Sequence, residues 1–166
     1  MDIELRRTTQ DDLPYVVSAE RDEDNRRFIA AWPEDLHRAA LRDASLEHLI
    51  IASMPNGRPV GFVILAGVQR ENRCIEFMRI VVTEKGKGYG RAAVRAIKCR
   101  AFETLSAHRL WLDVKDHNIR ARAVYEEEGF RYEGTLRECL KGPEGWESLV
   151  VMSLLEWEYR LELRRR

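Results

Sequence analysis

The stretch from Ile80 to Arg91, IVVTEKGKGYGR, constrains the fold more than any other part of the 166-residue chain. An apolar, β-branched run enters a turn with glycines at alternate positions, Gly86, Gly88 and Gly90, and a long helical pattern follows from Arg91. Only glycine lets a backbone come within hydrogen-bond reach of a bulky anion without a Cβ in the way. A helix that begins there aims its unpaired N–H groups and the positive end of its dipole at the same spot. Strand, glycine turn and helix together read as a phosphate cradle in an α/β domain.

Three nucleotide-binding patterns use such a turn. A P-loop needs Gly-Lys-Ser/Thr, but Gly86-Lys87 is followed by Gly88, so no hydroxyl is available for Mg²⁺. Gly88-Tyr89-Gly90-Arg91-Ala92-Ala93 satisfies the G-x-G-x-x-A dinucleotide fingerprint, with Asp113 ending the next apolar run as the ribose partner that pattern requires. The third pattern is that of the GCN5-related N-acetyltransferase (GNAT) family, which Lys85-Gly86-Lys87-Gly88-Tyr89-Gly90 resembles with Lys in the place of the usual Arg or Gln. Downstream, Asn118 to Phe130 resembles that family's second cofactor motif through Asn118, Ala121, Tyr125 and the closing Gly129-Phe130. Leu5 to Leu13 is similar to its opening strand and first helix, and Glu133 to Glu138 resembles the branch with ribosomal-protein-alanine and polyamine acetyltransferases. The turn between Val82 and Lys85 is shorter than in the family pattern and lacks its common proline.

The order of elements separates the last two patterns. Periodicity and turn residues predict strands at 3–7, 47–53, 60–67 and 73–82, then a helix from Gly88 to Thr104 with Ala93, Ile97, Ala101 and Leu105 as its buried stripe. Arg95 and Lys98 lie off that stripe and are expected to face water. A strand at 108–114, a helix at 118–128 ended by Gly129, and a hairpin of strands 130–140 and 146–156 complete the chain. Before the first hairpin, a helix starts at Asp11 or Asp12, and a second helical region spans 25–41, broken at Trp32-Pro33. A dinucleotide domain opens with its fingerprint on the first strand. Here three strands come before it, two of them joined as a hairpin, so the sheet must be mixed. The expected fold is a GNAT-type α/β sandwich, a centrally splayed sheet of about seven strands flanked by about four helices.

Composition narrows the function class. Twenty-eight basic and 28 acidic residues cancel, so no net field points to nucleic acid or an anionic membrane. No segment has the length and apolarity of a membrane span or the pattern of a secretory leader. Cys74, Cys99 and Cys139 are scattered without metal spacing and read as reduced thiols, mostly packing residues, in a cytoplasmic protein. The reading is one domain over 1–166, with 159–166 as a flexible basic tail. Trp146 and Trp157 fit either a homodimer contact or core packing.

The resemblance implies acetyl-CoA as co-substrate, no metal, and direct attack by a primary amine, small-molecule or peptide, in a ternary complex. It assigns the cofactor to Ile80, Val81 and Val82 through their backbone, to the turn Lys85, Gly86, Lys87, Gly88, Tyr89, Gly90 and Arg91, and to Asn118. Asn118 also fits a plain N-cap. Tyr125 matches the family's general acid and would be protonated at neutral pH with its ordinary pKa near 10, though a core tyrosine is the plainer alternative. Glu76 alternates with Met78 and Ile80, either as the base for the amine or as a solvated edge charge; His37, His108 and His117 are weaker candidates. On the acceptor side stand Asn25 and, four residues apart on one helical face, Phe28 and Trp32, beside the acidic run of residues 20–24; the plainer alternatives are a solvated connector for the run and core packing for Phe28 and Trp32. A domain that binds acyl-CoA without turnover is the alternative class.

Overall fold

The structure, a computed structural model, describes residues 2–165. Seven strands, β1 (Ile3–Arg7), β2 (Leu46–Ser53), β3 (Arg58–Ala66), β4 (Cys74–Val82), β5 (Arg109–Lys115), β6 (Arg131–Gly142) and β7 (Gly145–Leu155), form one sheet in the order β1-β2-β3-β4-β5-β7-β6. The helices are α1 (Leu13–Arg21), α2 (Glu23–Arg26), α3 (Glu34–Ala40), α4 (Tyr89–Cys99), α5 (Ile119–Glu127) and α6 (Glu156–Arg165). The β4–β5 pair is parallel and all other pairs are antiparallel. That topology rules out the dinucleotide-binding sheet, which is mostly parallel and opens on its fingerprint.

Two cores lie on the two faces of this sheet. Ala93, Ile97 and Ala101 are fully buried, so the four-residue stripe of α4 seats on one face with Leu110, Leu112 and Tyr125. On the other face Val16 and Ala19 of α1 meet Ile50, Phe62, Ile64 and Val81. Strands β2 and β3 sit between the two layers and are buried along almost their whole length, which explains their unbroken apolar runs.

The sheet opens at its middle. The parallel ladder joins only Cys74–Glu76 to Arg109–Trp111, although β4 continues to Val82 and β5 to Lys115. Beyond the ladder β4 follows β3, and β5 follows β7. A bulge sits at the branching point: Ile64 pairs with Arg79 and Leu65 with Phe77, leaving Met78 as the extra residue. The bulge resets which side chains share a face. Ile75 and Phe77 belong to the α4 core before it, whereas Ile80 and Val82 pack there after it.

Several expectations are corrected. The helical region at 25–41 is two helices separated by residues 27–33, which have no regular structure, because Pro33 withholds an amide and disfavours helix at Trp32. The helix from Gly88 is α-helical only to Cys99 and finishes as a π-helical turn over Arg100–Thr104. There are six α-helices rather than about four among the described residues. Residues 159–165 of the expected tail lie in α6, and Arg166 lies outside the described residues. That helix is held because Tyr159 is buried, stacked on Phe102 and bonded to Glu103, and because Glu162 receives Lys98 at 2.7 Å. Lys98 therefore does not face water; it is 2% exposed and also donates to Glu128 O at 2.6 Å. Cys99 and Cys139 are exposed free thiols rather than packing residues, and Trp146 and Trp157 are at least half exposed, so core packing does not explain them.

Candidate active site

The glycine turn has the shape the sequence requires. Gly86 (φ +80°) and Gly88 (φ +85°) are left-handed, and Gly88 caps α4. A Cβ built on Gly86 or on Gly90 would meet no atom within 4 Å, so both positions border open space in front of the helix N-terminus. The turn's own acid is neutralised: Glu84 pairs with Arg58 and with Lys87 at 2.9 Å, and these bonds hold its carboxyl down to about 2. Lys85 is half-buried, and burial lowers its pKa while the nearby Asp24 and Asp22 oppose the shift. The Tyr89 ring is buried in the α4 core, so only its backbone belongs to the turn. Arg91 is tied to Glu127 on α5.

Behind the turn, the splayed strands present unpaired backbone. Thr83 N–H donates to Val60 O at 3.0 Å, and the β3–β4 register places Val81 opposite Phe62. By strand alternation, Val81 directs its polar backbone groups to β3, while Ile80 and Val82 direct theirs toward the gap facing β5. The Val81 side chain lies in the α1 core. Of the three residues singled out for their backbone, Ile80 and Val82 thus turn polar groups to the gap and Val81 does not.

Tyr125 comes to this gap from α5. It is 7% exposed, edge-on to Phe77 (5.9 Å) and Phe130 (5.8 Å), and burial, aided by the charge of Asp113, pushes its pKa well above the ordinary value. Core packing and a proton-holding hydroxyl are here one arrangement. Asn118 is the N-cap of α5, its Oδ1 accepting from Ala121 N–H at 3.2 Å.

The opposite face of the parallel pair carries two carboxylates. Leu110, Leu112 and Val114 enter the α4 core, so Trp111, Asp113 and Lys115 turn to the α1 side, the side of Glu76. Glu76 is half-buried, and burial first, then the charge of Asp113, raises its pKa. Asp113 is open to solvent yet crowded by protein enough for burial to raise its pKa as well. Its charge is the one Glu76 meets, because the intrinsically stronger acid ionises first. Glu76 does not share its face with Ile80, as strict alternation implied; the bulge at Met78 moves Ile80 to the α4 side. Asp113 appeared in the sequence only as a ribose partner, and the alternation of β5 was the signal that assigns it here.

Residues 27–33 roof this face. Lys115 Nζ donates to Arg27 O at 3.1 Å, and the Phe28 ring stands 5.7 Å from that of His117. Trp32, Ile29 and Met78 each pack against the α1 core. Phe28 and Trp32 are therefore neighbours of the cleft on an irregular segment rather than on one helical face. Asn25 is corrected: it is 7% exposed and donates to Ala19 O at 2.9 Å, bracing the α1–α2 corner. The acidic run divides likewise. Glu20 is fully buried, while Asp22, Glu23 and Asp24 are exposed. His37 is also fully buried, behind Glu20; His108 is exposed away from the gap. Among the described residues no group of three or more His, Cys, Asp or Glu is placed to hold a metal, and no helix is long and apolar enough to cross a membrane.

Comparison with known proteins agrees with this geometry. The model of the acetyltransferase (GNAT) family matches residues 8–130. The spermidine N(1)-acetyltransferase of Vibrio cholerae serotype O1 is 26% identical over 145 residues, 81% of this chain and 82% of that protein. YdaF of Bacillus subtilis strain 168, which carries the provisional name of a ribosomal N-acetyltransferase, is 33% identical over 118 residues, 69% of this chain and 64% of that one. A crystal structure of the Vibrio cholerae spermidine N-acetyltransferase in complex with CoA and spermine shares the fold, with a TM-score of 0.86 and 22% identity over 95% of this chain and 98% of that one.

Proposed function

The chain belongs to the acetyltransferase (GNAT) family, and on that premise we propose that its acceptor is a polyamine, acetylated by direct attack in a ternary complex. The protein is an acyl-CoA-dependent N-acetyltransferase that moves an acetyl group from acetyl-CoA to a primary amine. The observation that carries the acceptor reading is the Glu76–Asp113 pair on the open α1 face. Two carboxylates close enough to raise the pKa of one suit a ligand that arrives cationic and must surrender a proton. The spermidine-acetylating relative supports the same class.

The residues fit acetyl-CoA. Open space in front of Gly86 and Gly90 and the free N-terminus of α4 suit its pyrophosphate, and the gap between β4 and β5 suits its pantetheine arm. When bound, it supplies an acetyl carbon activated as a thioester. Ile80 and Val82 direct backbone groups at that carbon's oxygen and at the arm. Glu76 takes the proton from the ammonium, with Asp113 holding the charge of the remainder. The freed nitrogen lone pair forms the new C–N bond, the C–S bond breaks with its electron pair going to sulfur, and the nitrogen releases its second proton to solvent as the amide forms. Tyr125, which burial keeps protonated, gives its hydroxyl proton to that sulfur, and the phenolate it leaves regains a proton from solvent. Trp146 and Trp157, both exposed, fit contacts between copies of the chain.

Initial rates with acetyl-CoA and, in parallel, spermidine, spermine and an alanine-ended peptide test the acceptor. The proposal expects saturable turnover with the polyamines and at least tenfold lower kcat/KM with the peptide, about 1.4 kcal/mol of discrimination. Preference for the peptide would overturn it.

A further inference from the structure

We infer that Glu20 and Arg79 are positioning residues that hold residues 27–33 as the roof of the acceptor cleft. The inference rests on the acceptor reading above and concerns residues that touch no reacting atom.

Residues 27–33 lie in no helix or strand; the Phe28 and Ile29 N–H groups donate to Asn25 O, and beyond them side chains from other elements hold the backbone of the segment. Glu20, at 0% exposure, accepts the Trp32 N–H at 2.7 Å and an Arg79 N–H at 2.6 Å. Arg79 donates to Ala30 O at 2.9 Å, and its guanidinium lies 4.4 Å from the centre of the Trp32 ring. One buried ion pair thus holds both ends of the Ala30–Trp32 stretch and its indole. Lys115 and His117 receive the other end of the segment across the gap, so it spans from β4 to the end of β5.

The bulge at Met78 is what makes this possible. Strict alternation from Glu76 would send Arg79 to the α4 core; the extra residue returns it to the α1 face, beside Glu20. The same bulge begins the splay that frees Ile80 and Val82. Opening the cofactor gap and anchoring the acceptor roof are two results of one inserted residue.

Glu20 is itself backed by a buried chain. His37 Nε2 stands 3.2 Å from its Oε2, off the line of a good hydrogen bond; His37 Nδ1 is 3.1 Å from His48 Nε2, and His48 Nδ1 is 2.9 Å from Thr8 Oγ1. This chain ties the pair to His48 on β2 and to Thr8, the residue after β1, rather than to the segment it holds.

The test uses the full chain with Glu20→Gln, Arg79→Met and Arg79→Lys. Hydrogen exchange reads the segment directly and needs no acceptor: the Trp32 amide is expected to lose protection in Glu20→Gln while sheet amides keep theirs. Steady-state kinetics are expected to show the acceptor KM rising about tenfold in Arg79→Met, with acetyl-CoA KM unchanged and partial recovery in Arg79→Lys. A parallel rise in both KM values, or loss of protection across the sheet, would reduce the pair to a general fold element and overturn the inference. So would a loosened segment with an unchanged acceptor KM. If the wild-type chain acetylates no polyamine, the acceptor proposal fails on its own, and the amine preferred in the same assay serves for the KM comparison.

Discussion

The cofactor half and the acceptor half of the cleft are built from different kinds of information. The cofactor half is local: one strand, two left-handed glycines and one helix N-terminus, contiguous from Ile80 to Arg91 and working through backbone groups. The acceptor half is assembled from side chains far apart in sequence. Glu20 and Arg79 are 59 residues apart, and Lys115 reaches a carbonyl 88 residues before it. A backbone cradle tolerates changes of side chain, whereas a roof held by side chains changes with each of them. One fold can therefore keep acetyl-CoA while its acceptor varies.

The largest expected effect falls on the acceptor half. Glu76→Gln should lower kcat/KM for the amine by about 10²–10³-fold with acetyl-CoA affinity unchanged, measured by steady-state rates and ligand titration. A loss confined to acetyl-CoA binding would erase the distinction between the halves.

Acid should weaken the acceptor half through His48. Burial first, then the neighbouring His37, brings its pKa down to about 4. A histidine depressed below its ordinary value of about 6.5 takes up its proton in the unfolded chain first. Its contribution is thus complete above about 6.5 and is lost as the pH falls toward about 4, a change on the order of 3 kcal/mol. Urea midpoints across that window should decline in the wild-type chain, and more gently in His48→Gln.

A smaller effect marks the cofactor half. Gly90 lies in α4 at a position where no neighbour crowds a side chain, so Gly90→Val should fold yet weaken acetyl-CoA by about tenfold by entering the space in front of the helix. The smallest belongs to Lys85. With the anion held by backbone N–H groups rather than by the half-buried Lys85 ammonium, Lys85→Ala should change acetyl-CoA affinity by less than about threefold.

The same contrast decides what was legible in the sequence. The glycine turn, the seven strands and the break before Pro33 are written in neighbouring residues. So is Tyr125, whose spacing from Asn118 survives in α5. The bulge at Met78 is not, because it exists only relative to β3, and strict alternation without it puts Ile80 on the face of Glu76. Asn25 looked like a cleft residue for the same reason: its partner, the Ala19 carbonyl, depends on how α1 ends. Residues 159–165 read as a tail in the sequence because the anchors of their helix, Glu103 and Lys98, lie in other elements. Asp113 was noticed, but its neighbour across the parallel pair was not visible.

The central claim is that Glu76 and Asp113 act as a coupled pair on the cationic amine, and the pH profile of Asp113→Asn tests it most directly. The charge of Asp113 raises the Glu76 pKa, so its removal should move the acidic limb of kcat/KM for the amine to lower pH. An acidic limb that stays in place, or moves to higher pH, would contradict the coupling and take Glu76 out of the role of base.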